Sequence, residues 1–275
     1  MTRKKLRDFL AQPNPPMDFR HADAPHFTET RTQHWPNVPT WSEWSEFNHA
    51  SLENIMGPLL DEEFDLPDKL PDGPAALLVA DNEHVFQFEL IKHSNIVVNT
   101  AVDVISKRYP NLVTTCWAHG QAALANQATG YPDFSTIPLK PRDASEGKKP
   151  CVCPGDAKYY DREEVSFPTS LEQQTGGKKH WAQQCLRQVC HYSVKRETRY
   201  FYLLTPEGAV IGRRRHSDGG RIVRPEIVIV PWDAPRGKVN VNTALLFTLI
   251  AAGLDHGVKA SYPSLVVEYG QSFPH

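Results

Sequence analysis

CVCPGDAKYY, residues 151–160, runs apolar through Cys151, Val152 and Cys153, meets Pro154-Gly155, and then sets Asp156, Ala157 and Lys158 in a row. Two readings compete. In the first, Pro-Gly opens a turn, and Asp156 and Lys158 form a surface ion pair that adds little to stability. In the second, both residues stand on a strand, where positions two apart project to one face. A carboxylate and an ammonium on one face are what metal-assisted phosphodiester hydrolysis needs. The carboxylate holds Mg2+, the cation positions the attacking water and steadies charge on the phosphate, and the carbonyl of Ala157 offers a further ligand.

Such a site requires a second carboxylate from the strand or turn before. YPDF, residues 131–134, offers Asp133, 23 positions ahead of Asp156. Pro-Asp also occurs at Asp68 and Asp72, but those precede the first long helical pattern and stand in the wrong order. A second acidic-x-Lys, Glu146-Gly147-Lys148, lies in the polar, glycine-containing ASEGKKP and reads as a solvated loop.

The chain around this stretch alternates between helical and strand patterns. Phe86, Leu90, Ile91, Val97, Val98, Ala101, Val102 and Ile105 recur at threes and fours, predicting a helix from about Asp81 to Tyr109, capped by Asp81 or Asn82 and stopped at Pro110. LVTTCWAHGQAAL (112–124) is a strand candidate, followed by the polar ANQATGYPDF. HWAQQCLRQVCHYSVK (180–195) is a helix of about four turns. RYFYLLTPEGAVIGRRR (199–215) reads as two strands about a Pro-Glu-Gly turn, and PEIVIVPW (225–232) as a third. VNTALLFTLIAAGLDHG (241–257) is a buried helix closed by glycine. The order from residue 81 is helix, three strands, helix, three strands, helix. The expectation is an α/β or α+β fold with a mixed central sheet flanked by helices.

Residues 1–74 differ, being rich in Pro, Trp and charge. RKKLRDFLAQ (3–12) predicts one short helix. SLENIMGPLLDEEF (51–64) predicts another, capped by Ser51 and broken at Gly57-Pro58. The expectation is an irregular arm, residues 1–74, packed on a domain spanning 75–275.

Pro-Asp, an interval, then Asp-x-Lys is the signature that names the PD-(D/E)XK nuclease superfamily. Gln188 and Tyr192, one helical turn apart on the following helix, resemble the Gln-x-x-x-Tyr element of its RecB-like and lambda-exonuclease-like members. More widely, PGDAK, RYFYLLTPEGAVIGR and EIVIVPWDAPRGKVNVNTALLFTLIAAG resemble an uncharacterised fungal family with a Pro-Gly-Asp-Thr-Lys motif. Residues 150–254 fit best, and Ala157 replaces the usual Thr.

The resemblance implies a restriction-endonuclease-like core and a metal-dependent nuclease, acting on DNA more than RNA, with Mg2+ or Mn2+ as cofactor. Asp133 and Asp156 become metal ligands and Lys158 the catalytic cation. An acidic residue on the first helix joins them, and Glu83 suits that place better than Glu89. Gln188 and Tyr192 support the site. IGRRRHSDGGRIVR (211–224) offers Arg213, Arg214 and Arg215 as phosphate contacts, with a solvated hairpin tip as the competing reading. The alternative function is a catalytically inactive module of the same fold that binds nucleic acid or a protein partner, with the Trp- and Pro-rich arm as its contact.

Bulk properties leave room for either function. The 275 residues are 40% hydrophobic and 23% charged, ordinary for a globular chain. Net charge is −2, but Lys140–Arg224 carries 17 Lys and Arg against 10 Asp and Glu, and the rest 13 against 22. That basic half favours a polyanionic partner. The longest apolar run, Ala244–Leu254, is too short to span a bilayer, and the basic start lacks the apolar stretch of a signal peptide. The expectation is an intracellular protein of nucleus or cytoplasm without membrane contact. Five cysteines, Cys116, Cys151, Cys153, Cys185 and Cys190, lack disulfide or zinc-loop spacing and read as buried thiols. No serine-hydrolase elbow, zinc-protease motif or complete phosphate loop occurs.

Overall fold

A computed structural model describes residues 1–12, 18–19, 34–68, 79–80, 83–120, 132–139, 150–159, 177–215, 221–235, 237–255 and 257–274. At its centre is a mixed seven-stranded sheet built from β3 (Ser42–Glu43), β6 (Thr115–His119), β7 (Phe134–Pro138), β8 (Cys153–Ala157), β9 (Tyr200–Thr205), β10 (Gly208–Arg213) and β11 (Glu226–Pro231). The spatial order is β3-β11-β10-β9-β8-β7-β6. β6, β7 and β8 form an antiparallel meander. Helix α5 (Gly177–Lys195) separates β8 from β9, which lies parallel to it, and β10 and β11 return antiparallel.

Alternation along β9 sorts the two faces. Tyr200, Tyr202 and Leu204 join a large core with α4 (Ile96–Arg108) and α6 (Val241–Leu254). Phe201 and Leu203 pack on the other side with Ala182, Cys185, Leu186 and Val189 of α5. Helix α6 is apolar around its whole circumference and accordingly buried, as its composition predicts. Its end differs from expectation. The C-cap is Asp255 in extended conformation, whose Oδ1 accepts the Gly257 N–H at 2.9 Å.

The predicted first long helix is present as α3 (Glu83–Leu90), a π-turn at Ile91–Asn95, and α4. Its proposed caps, Asp81 and Asn82, lie outside the described residues. The strand from Phe134, absent as a named element from the polar reading of 125–134, follows Asp133 directly.

Residues 1–68 are more regular than expected. β1 (Thr2–Lys5) pairs antiparallel with β4 (Glu63–Leu66), and the helix predicted over 3–12 shrinks to α1 (Leu6–Leu10). Helix α2 (His49–Asp61) is capped by Asn48, whose side chain accepts from the Ser51 N–H, so Ser51 is not itself the cap. It passes through Gly57-Pro58 unbroken, because the residue before the proline ring has no Cβ for the ring to strike. β3 joins the main sheet, parallel to β11. A further pair, β2 (Asp18–Phe19) with β5 (Val79–Ala80), is parallel.

The candidate active site at the end of β8

Pro154-Gly155 is not a turn. Both residues lie inside β8, opposite Ser135 and Phe134 of β7. The Lys158 N–H donates to the Leu204 carbonyl at 2.8 Å, so even-numbered amides face β9. The amide that Pro154 lacks falls before the β9 register begins at Gly155, which is where a central strand tolerates proline. Gly155 lies opposite Tyr202, and a Cβ there would sit 2.0 Å from the Tyr202 ring and 2.5 Å from its hydroxyl oxygen. Any side chain at 155 would displace that ring.

The strand therefore carries Asp156 and Lys158 inward. They are 1% and 5% exposed, which removes the surface-pair reading. Lys158 Nζ lies 2.8 Å from Asp156 Oδ2 and 3.6 Å from Glu83 Oε1. Asp133, just before β7, brings its Oδ2 to the Ala157 N–H at 2.9 Å and sets its carboxyl beside that of Asp156. Glu83, at the first position of α3, accepts the Tyr159 N–H. Four of the residues singled out in the sequence thus meet around one ammonium. Ala157 contributes its amide to Asp133. Glu89 lies elsewhere, paired with Lys92 at 3.0 Å.

Electrostatics follow from crowding charges in a dry place. Burial, then the neighbouring Asp156 charge, push the Asp133 carboxyl up to about 9. Glu83 rises too, chiefly through burial, against the pull of Lys158. For Lys158, burial is the largest influence and works against the charge. Asp156, Glu83 and Asp133 together outweigh it and hold the ammonium well above the ordinary lysine value.

Helix α5 forms the next wall. Gln188 Nε2 donates to the Tyr192 hydroxyl at 3.1 Å, and burial, then Asp156, keep that phenol protonated far above its usual range. Cys185, one turn before Gln188, is buried in the same field, and its thiol is pushed well up, mainly by desolvation. Cys185 is the buried thiol the sequence reading expects, but that reading did not place it beside the site. Its spacing of three from Gln188 was the signal that it shares the site's helix face. All five cysteines are free thiols.

The predicted phosphate contacts need correction. Arg213 is 2% exposed, with Nε 2.6 Å from Glu226 Oε2, Nη2 3.3 Å from Glu46 Oε2 and its guanidinium over the Trp44 ring. Arg214 is 7% exposed and donates to the Ser193 hydroxyl and the Thr198 carbonyl. Arg215 is half-exposed and paired with Glu226. Register explains the misreading: Arg213 stands opposite Tyr200, at the end of β9 away from Leu203 and Leu204, the partners of Asp156 and Ala157. Arg213 thus stands roughly three residues, about 10 Å, along the sheet from the partners of Asp156 and Ala157.

Do these residues suit a divalent cation? Asp133 keeps its proton beside the Asp156 carboxylate, and a shared cation would take the place of that proton; an all-oxygen donor set suits Mg2+, which keeps several waters and needs one or two carboxylates. Among the described residues no group of three or more His, Cys, Asp or Glu is arranged to hold a metal ion. The fit is therefore that of a two-carboxylate site with Ala157 alongside. No protein-family model, curated protein or solved structure matches the chain.

Proposed function

We propose that the protein is a metal-dependent nuclease of the PD-(D/E)XK type, with a restriction-endonuclease-like core, hydrolysing phosphodiester bonds in DNA more than in RNA. The observation that carries this reading is the convergence of Asp133, Asp156 and Glu83 on the buried Lys158 at the end of one strand. An isolated structural ion pair does not call for a second buried carboxyl pressed against the first. Asp133 and Asp156, with the Ala157 carbonyl, would hold Mg2+ or Mn2+. The ion supplies Lewis-acid activation of the phosphate and of a water ligand.

The remaining roles belong to the chain. Lys158 is held protonated, so it acts as a donor: it orients the attacking water and steadies charge on the phosphoryl oxygens while the water's hydroxyl bonds to phosphorus, the P–O bond to the leaving oxygen breaks and the water's proton ends on that oxygen through solvent. Glu83 steadies the ammonium from the second side. Gln188 fixes the Tyr192 hydroxyl on α5, within the field of Asp156.

The lack of a three-ligand cluster among the described residues favours a second reading, an inactive module of the same fold that binds nucleic acid or a protein. Incubating purified protein with labelled DNA and RNA and Mg2+ or Mn2+ separates the two. A nuclease cuts, and Asp156→Ala and Lys158→Ala lose at least about 100-fold in rate, in the range of a lost transition-state donor, with circular dichroism unchanged. Cutting by both variants at the wild-type rate, or none by the wild type, rejects it.

A further inference from the structure

Strand β8 changes partners half-way along. Its register with β7 runs Thr136–Cys153, Ser135–Pro154, Phe134–Gly155, and its register with β9 runs Gly155–Tyr202, Asp156–Leu203, Ala157–Leu204. Among the described residues, Gly155 alone stands in both. The backbone bonds just outside keep to the same division: the Val152 N–H donates to Thr136 of β7 at 2.9 Å, and the Lys158 N–H to Leu204 of β9 at 2.8 Å. The two carboxylates therefore stand on opposite sides of a joint. Asp133 precedes the last β7 pair by one residue, and Asp156 follows the first β9 pair by one. Past the joint, the bond from the Ala157 N–H to Asp133 Oδ2 ties the two sides together.

Tyr202 fills this joint. Its ring tip takes the space over Gly155, where a Cβ would fall 2.0 Å from the ring. Trp117 packs edge-on against both Tyr202 and Phe134, at centroid distances of 5.8 and 5.4 Å, so three rings brace the strands that bear the carboxylates. The Tyr202 hydroxyl is buried and has no hydrogen-bond partner among the described residues, so what it supplies there is volume against Gly155. We propose that Tyr202 is a positioning residue for the metal site: wedged on Gly155, it fixes the separation of the Asp133 and Asp156 carboxylates and thereby selects a small divalent ion, Mg2+ or Mn2+, over Ca2+. This inference rests on the nuclease reading of the site and adds its ion selectivity. Mg2+ holds oxygen at about 2.0–2.1 Å in strict octahedral geometry, and Ca2+ at about 2.3–2.6 Å in a looser one. A close-packed joint cannot widen by a few tenths of an ångström without moving the ring, which puts the larger ion at a disadvantage.

The test is competition of Mg2+ and of Ca2+ against Mn2+ on the full chain, followed by the electron paramagnetic resonance signal of free Mn2+. Tyr202→Phe keeps the ring and removes the oxygen pressed on Gly155; because that hydroxyl is unpartnered, its loss leaves the fold stable. Tyr202→Leu removes the ring as well. The wild type should release Mn2+ at a lower concentration of Mg2+ than of Ca2+. Tyr202→Leu should move the ratio of those concentrations toward Ca2+ by at least about 10-fold, the range of a lost outer support of a metal site. Tyr202→Phe should move it the same way by a smaller factor, and it decides the matter where Tyr202→Leu does not fold. A purely structural role for Tyr202 lowers stability in denaturant unfolding and leaves the ratio alone. An unmoved ratio in the folded variants, or a wild type that Ca2+ displaces as readily as Mg2+, overturns this inference and leaves the metal site standing. A wild type that takes up no Mn2+ overturns both.

Discussion

Gly155 and Lys158 show how single residues build the site. Tyr202 fills the volume a side chain at 155 would need, so Gly155→Ala forces the ring aside and should cost about 1–3 kcal/mol, read by denaturant unfolding. Asp133 carries a pH signature. Its carboxyl sits at about 9 in the fold, against about 3.9 for a free aspartate. Between these values the folded chain keeps a proton that the unfolded chain has released. Stability must therefore fall as pH rises from about 4 to about 9. In metal-free buffer with chelator, Asp133→Asn should lose less melting temperature than wild type over the alkaline part of that range. The identities of Asp133, Asp156 and Lys158 were legible in the sequence from spacing and from the apolar run before them. Their burial was not, because Pro-Gly reads locally as a turn, and only pairing with β7 and β9 makes it strand.

Elements were legible where periodicity is strong. The helices bearing Val97 to Ile105 and Ala244 to Ile250, and the strands after Arg199, follow from pattern alone. Helix α2 was misread because Gly-Pro is a local breaker that here disarms itself, and β3 is two residues long, below what any pattern detects. The π-turn before α4 was also invisible. It ends on Asn95, which with Asn99 one turn later reaches the Trp117 carbonyl. Asn99→Leu leaves the Trp117 N–H and C=O, both of which the Asn99 side chain pairs, buried beside an apolar group. Loss of about 1–3 kcal/mol is expected, read by denaturant unfolding.

Over the whole molecule, counting charges misplaced the basic surface. Lys158, Arg199, Arg213 and Arg214 belong to the basic half by sequence, yet all are buried, and the first three face carboxylates at 2.8, 2.6 and 2.6 Å. They are part of the framework, and the field reaching solvent is weaker than the count implies. Arg213→Ala should therefore lower the melting temperature by taking the guanidinium from Glu46 and from one oxygen of Glu226, while leaving nucleic-acid binding and KM unchanged. A phosphate contact would show the opposite pattern. No helix among the described residues is long and apolar enough to cross a membrane.

The central claim is that Asp133 and Asp156 share one divalent cation beside Lys158. Calorimetric titration of Mn2+ into the metal-free protein tests it most directly. The account predicts one saturable site in the wild type, lost in both Asp133→Asn and Asp156→Asn, with the fold of each intact by circular dichroism. No Mn2+ binding by the wild type, or an isotherm that survives both substitutions, would contradict it.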